Sequence, residues 1–136
     1  MRQKIVNIVY TIGMSDIASP LLFGIAEVHD KTGDILPKDL ADLFGLSQAR
    51  LAHAAGLSRQ LLNRSPGSKR VQRELRRLEY LFARVRSLTG SEENARIWLK
   101  MGHPDFDGVA PIELLEEGHI EAVEDLLTAT ETGQPR

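Results

Sequence analysis

The stretch LSQARLAHAAGLSRQLLNR, residues 46–64, constrains the fold more than any other part of the chain. Ser47 and Ser58 stand where helix N-caps are expected, and Gly56 separates the two segments that they open. A tight turn between two crossing helices needs a left-handed backbone at one position, which glycine adopts without the penalty of a Cβ. Leu51 and Ala52 are apolar or small, as a close crossing requires, Leu57 fills the angle, and Leu61 is expected to return to the core. The stretch predicts helices at about 47–55 and 58–64 joined as a helix-turn-helix. Arg59, Gln60, Asn63 and Arg64 then face outward on the second helix.

Every other clear segment also has a helical period. Ile5, Ile8, Val9 and Ile12 follow it, although their β-branching would equally allow a strand. Ser19-Pro20 predicts a helix opening, with Leu21, Leu22, Ile25 and Val28 on one face and Gly33 at the end. Pro37 opens a short helix burying Leu40, Leu43 and Phe44, and SPGS at 65–68 is a turn. Val71, Leu75, Leu78, Phe82 and Val85 then sustain a long helix from Ser68 to Leu88, stopped at Gly90. Ser91 caps the next helix, whose apolar side is Ala95, Trp98, Leu99 and Met101. Residues 102–110 read as loop, Pro111 opens a short helix ending at Gly118, and Ile120, Val123, Leu126 and Leu127 form a last amphipathic helix. The expected fold is all-α, and 136 residues suit one domain or two small helical modules sharing a core.

The absence of cysteine excludes a disulfide framework, a thiolate zinc site and a thiol nucleophile, and fits a cytoplasmic setting. The basic tip and apolar middle of residues 1–20 suggest a signal peptide, but Asn7, Thr11 and Gly13 dilute the middle and no clean cleavage site follows. No apolar run approaches the ~18 residues that span a bilayer, so no membrane association is expected. The net charge of -2 conceals an asymmetry. Residues 47–86 hold ten basic groups against two acids, a net +8, whereas residues 91–136 hold three against eleven, a net -8. The halves either serve two partners of different chemistry, one of them a polyanion, or neutralise each other.

The outward set on the second helix suits a DNA major groove. Arginine pairs with guanine, and glutamine or asparagine with adenine, through paired hydrogen bonds. Ser58 caps that helix, and Gln48 at the N-terminus of the preceding one is placed to hold a phosphate. Lys69, Arg70 and Arg73 extend the positive surface and would position rather than specify. The competing reading is a helix-turn-helix that merely builds a small core. His53, with no second ligand nearby in sequence, is expected to be a surface or packing histidine.

Residues 101–127 hold two histidines and several acids, and invite a metal reading. A calcium loop starting at His103 places Asp105, Asp107 and Gly108 in register but fails at both anchoring positions, His103 and Leu114. His103 and His119 are too widely spaced, with a helix between them, for a zinc pair, and no activated nucleophile is visible. These residues predict neither enzyme, metal nor cofactor. An interaction module remains, in which Trp98 and Phe106 either anchor an interface or seal a small C-terminal core.

The segment NARIWLKMGHPDFDGVAPIELLEEGHIEAVEDLL resembles the toxin-binding domain of the Xre/MbcA/ParS antitoxins. Trp98, Leu99, Pro104, Gly108, Pro111, Glu113, Leu114, Leu115, Gly118, Val123 and Leu127 match that family's pattern. The preceding helix-turn-helix is similar to the same family's N-terminal half, so the resemblance covers about residues 36–129. One departure is Ala110, where the family usually carries Ser or Thr as a helix cap; its loss costs about 1 kcal/mol locally.

The resemblance implies an antitoxin whose partner is a RES-domain toxin that consumes NAD. It further implies operator binding by a homodimer within a hetero-oligomeric complex. The expected divisions are 1–35 without assigned role, 36–88 for DNA, 89–130 for the toxin, and a flexible tail at 131–136. The expected toxin-facing set is Trp98, Pro104, Phe106, Gly108, Pro111 and Glu113, with Arg136 of the tail reaching toward groups meant for a nucleotide phosphate. The alternative is a stand-alone helix-turn-helix regulator without a toxin.

Overall fold

A computed structural model describes residues 25–133, and within them the fold is all-α. Seven α-helices follow in the described residues: α1 Pro37–Phe44, α2 Gln48–Ala54, α3 Arg59–Arg64, α4 Lys69–Thr89, α5 Glu92–Lys100, α6 Pro111–Glu116 and α7 Ile120–Thr132. Four of them start on a serine whose Oγ accepts the backbone N–H three residues ahead. Ser47 receives Arg50 at 3.1 Å, Ser58 receives Leu61 at 2.9 Å, Ser68 receives Val71 at 3.2 Å and Ser91 receives Asn94 at 3.0 Å. Each bond satisfies one of the N–H groups that a helix start leaves without a partner.

The helix-turn-helix is formed by α2 and α3. Leu57 N–H returns to the Ala52 carbonyl at 2.9 Å, which closes α2 and leaves Gly56 at φ +73. Leu51, Ala52 and Leu57 are buried as expected. On α3 the apolar phase is shifted by one residue from the expectation, because Leu62 is buried and Leu61 only packs partly against the core. A helix of six residues makes under two turns, so its neighbours rather than its own periodicity set which leucine turns inward.

The frame is α4, 21 residues and roughly 31 Å long. Val71, Leu75, Leu78, Leu81, Phe82 and Val85 are buried along it, and Phe82 meets Phe44 of α1 edge-on with centroids 5.1 Å apart. One hydrophobic cluster runs from Ile25 to Leu127, so the helix-turn-helix and the C-terminal helices share a core.

A helix reaching Gly33 was expected; the described residues instead show a 3-10 turn at Ala26–Val28 and a lone bridge between His29 and Ile35. Asp30 is the reason. Its side chain accepts the N–H of Thr32 at 2.8 Å and of Asp34 at 3.0 Å, offering the backbone an alternative to helical bonds. Two buried polar side chains of α4 then hold this segment. Gln72 accepts Ile35 N–H at 2.8 Å and donates to the carbonyls of Ile35 and Pro66 at 3.0 and 2.9 Å. Two turns on, Glu79 accepts Ile25 N–H and meets His29 Nε2, both at 2.6 Å. Desolvating these groups is tolerable because each has partners. The expected features at Ile5–Ile12 and Ser19–Leu22 lie outside the described residues, apart from Ile25 and Val28, which are buried.

Candidate functional site

The basic half of the chain is sorted by structure into cations that pair and cations that do not. On α4, Arg77 grips Glu124 of α7 through two hydrogen bonds of 2.8 and 2.7 Å. Arg84 does the same to Glu131 at 3.2 and 2.8 Å and also reaches the Thr128 hydroxyl at 3.0 Å. Both residues step forward by seven, so α4 and α7 run in the same direction with two turns in register. The hydrogen bonds to Glu124 and Glu131 hold the two guanidinium pKa values above the ordinary arginine range. Part of the acid-base asymmetry is therefore neutralised inside the molecule.

The cations of α3 and of the first turns of α4 face solvent. Arg59, Gln60, Asn63 and Arg64 are exposed on α3, and Arg59 Nε donates to Asn63 Oδ1 at 3.3 Å one turn on. Lys69, Arg70 and Arg73 are exposed along the first turns of α4. Among the described residues, Arg59, Arg64, Lys69 and Arg70 make no ion pair, and Arg73 makes only a long contact of 3.7 Å to its neighbour Glu74. Ser58 is exposed but engaged as the α3 cap, and Gln48 is half-buried at the first residue of α2. The outward set read from the sequence is thus exposed on α3 and on the first turns of α4, with Gln48 half-buried on α2.

The second surface is built around the turn between α5 and α6. Gly102 lies so close to the other side of the loop that a Cβ there would collide with the Gly108 carbonyl oxygen. The ring is closed by His103 N–H to the Val109 carbonyl at 3.1 Å and Gly108 N–H to the His103 carbonyl at 2.9 Å. A 3-10 turn, Pro104–Phe106, sits inside it, with His103 Nδ1 accepting Asp105 N–H at 3.1 Å. Trp98, His103 and Phe106 stand in a row, with centroids 6.4 and 5.7 Å apart. Trp98 and Phe106 are both half-buried, and Trp98 packs against the core.

Pro104, Gly108 and Glu113 of the expected set are exposed, whereas Pro111 is buried at the first turn of α6 and shapes the surface from beneath. Ala110 is the N-cap of α6 and forms no side-chain cap bond. Arg136 lies outside the described residues. Two apolar side chains stand outside the pattern expected from the sequence. Ile97 is 51% exposed on α5, and Met101, expected on the buried side, is 58% exposed. The reason for Met101 is that α5 ends at Lys100; Met101 is extended at φ -90, ψ 136, so the helical period no longer directs it.

The two surfaces are mechanically joined. His53 of α2 uses Nδ1 to donate to the Glu116 carbonyl at the end of α6, and Arg50 approaches the Glu116 carboxylate at 3.7 Å. His53 is therefore an exposed histidine whose hydrogen bond ties the helix-turn-helix to the end of α6. Among the described residues no group of three or more histidine or acid side chains is placed to hold a metal ion. Nor is any helix there long and apolar enough to cross a membrane.

No curated protein and no solved structure matches the chain. Residues 84–133 do match a family, described as the antitoxin Xre/MbcA/ParS C-terminal toxin-binding domain. The match begins in the last turns of α4 and takes in α5, the closed loop, α6 and α7, so it contains the whole second surface. Residues 84–133 are thus similar to the C-terminal toxin-binding domain of the Xre/MbcA/ParS-type antitoxins.

Proposed function

We propose that this antitoxin neutralises a RES-domain, NAD-consuming toxin by covering the entrance to its active site, and that as a homodimer it binds operator DNA and represses its own operon. The observation that carries the first half is the matched domain, whose aromatic row runs from α5 onto a loop fixed by backbone hydrogen bonds. A surface already in its bound shape loses little conformational freedom on docking. It acts by occlusion rather than chemistry, in the cytoplasm, where NAD and the operon both are. Trp98, Pro104, Phe106, Gly108 and Glu113 line the face, Pro111 supports it, and Arg136 extends it from the tail.

The DNA half is supported by the unpaired cations beside the helix-turn-helix. Arg59, Gln60 and Asn63 read base edges, while Arg64, Lys69, Arg70 and Arg73 hold phosphates. Gln48 and Ser58 sit beside the N-termini of α2 and α3, where a phosphate is favoured by the helix ends. The divisions follow as 36–88 for DNA and 89–130 for toxin.

The test is to co-express the product of the neighbouring reading frame with either the full chain or a chain ending at Gly90. The full chain protects cells and preserves their NAD, and the truncated one does neither. Undiminished protection by the truncated chain refutes the toxin-facing assignment.

A further inference from the structure

We propose that Ile97 and Met101 form the apolar anchor of the toxin-docking face, and that their counterpart is an apolar depression rimmed by cations on the toxin. The proposal rests on the toxin-binding reading above and names the residues that would carry most of the contact.

Three observations support it. First, Leu36, Tyr80, Leu88, Ile97 and Met101 are the large apolar side chains exposed in the described residues, and Ile97 and Met101 are the two most exposed. Ile97 precedes Trp98 in the last turn of α5, and Met101 is the first residue past that helix, leading into the loop that carries His103 and Phe106. Scattered apolar groups on a surface need no explanation, but the two most exposed ones on either side of Trp98 in the sequence of the matched segment do.

Second, the support is fixed. α5 is held to α1 by Arg96, which donates to the Leu43 carbonyl at 3.3 Å, and the loop that follows is closed on itself. Apolar groups on a rigid base in a water-excluding contact are where binding energy concentrates.

Third, the surroundings are acidic. Glu93 precedes Ile97 by one turn, Asp107 lies in the loop and Glu113 is exposed on α6, against Lys100 and against Arg96, which pairs with Glu92 at 3.6 Å. That rim argues against a second copy of this chain as the occupant. A two-fold contact between copies would set one acidic rim against another, whereas a partner with a cationic rim is attracted.

The test uses the full-length chain and the purified product of the neighbouring reading frame. Ile97→Ser with Met101→Ser leaves helix propensity nearly unchanged and alters only exposed groups, so circular dichroism and the melting midpoint stay at the wild-type values. Affinity for the toxin falls at least about 30-fold, as expected for loss of a central anchor. Leu36→Ser, at an exposed apolar position outside the matched domain, leaves it unchanged. Wild-type affinity in the double variant overturns the proposal while sparing the toxin-binding reading. A double variant that turns from dimer to monomer at unchanged toxin affinity also overturns it, by making the face a self-contact. Failure of the wild-type chain itself to bind refutes the reading beneath, and the anchor with it.

Discussion

Gly102→Ala separates the closed-loop geometry from the rest of the fold. The added methyl lands on the Gly108 carbonyl oxygen, which is main chain and cannot swing aside as a side chain would. Relief requires the two sides of the loop to part, and this breaks the bonds from His103 N–H to Val109 and from Gly108 N–H to His103. At about 1 kcal/mol each, their loss costs on the order of 2 kcal/mol. That is well below the ~5–15 kcal/mol that holds a domain of this size together, so the chain stays folded with an open loop. If the toxin binds only the closed loop, the same 2 kcal/mol appears as roughly 30-fold weaker binding. Gly108→Ala is the comparison. It meets nothing within 4 Å and bears only the strain of φ +85, about 1–2 kcal/mol. Hydrogen exchange at residues 103–109 and toxin titration should therefore rank Gly102→Ala as the more damaging. Wild-type exchange rates in Gly102→Ala, or a smaller effect than Gly108→Ala, would show that the close backbone approach is not what shapes the face.

Other outcomes follow from the same geometry. Alanine at Arg59, Gln60 and Asn63 together should abolish specific operator binding in a mobility-shift assay while leaving toxin neutralisation intact; survival of both reduces the helix-turn-helix to scaffolding. Lys69→Ala and Arg70→Ala should each weaken binding to all duplexes alike and lower the salt slope by about 1, read by titration across salt concentrations. Arg77→Ala removes two hydrogen bonds to Glu124 and should cost about 1 kcal/mol in a denaturant melt, after allowance for a pair partly in solvent. Ala110→Ser should supply the missing α6 cap and raise the melting midpoint by a few degrees, for a gain of about 0.5–1 kcal/mol. Asp30 is the acid-sensitive point of the turn before α1. The Thr32 hydroxyl bonded to its carboxylate holds its pKa below the usual range. Protection of the Thr32 and Asp34 amides should thus persist above the ordinary aspartate range and disappear only as pH falls through that depressed value, and Asp30→Asn should remove the transition.

The helices were legible where capping and period agree. Ser47, Ser58 and Ser91 mark their starts by the chemistry of orphan N–H groups, and the structure uses each as a cap. The turn at Gly56 was legible for the same local reason. What escaped depends on contacts distant in sequence or on the exact residue where a helix stops. Leu61 and Leu62 differ by one position on a helix too short to fix its own phase, and Met101 leaves the apolar stripe because the helix ends one residue earlier. The Asp30 turn lost to a longer helix reading because its side chain competes locally with the backbone. Charge asymmetry was visible, but its division was not. Only the register of α4 against α7 tells Arg77 and Arg84, which pair, from Arg59 and Lys69, which do not. The tie between His53 and Glu116 spans 63 positions, and no local pattern could announce it.

The most direct measurement of the central claim is NAD consumption by the purified product of the neighbouring reading frame, titrated with the full-length chain. The account predicts a stable complex on sizing and a rate that falls to background at stoichiometric amounts of antitoxin. Separate elution with NAD loss undiminished at excess antitoxin would contradict it.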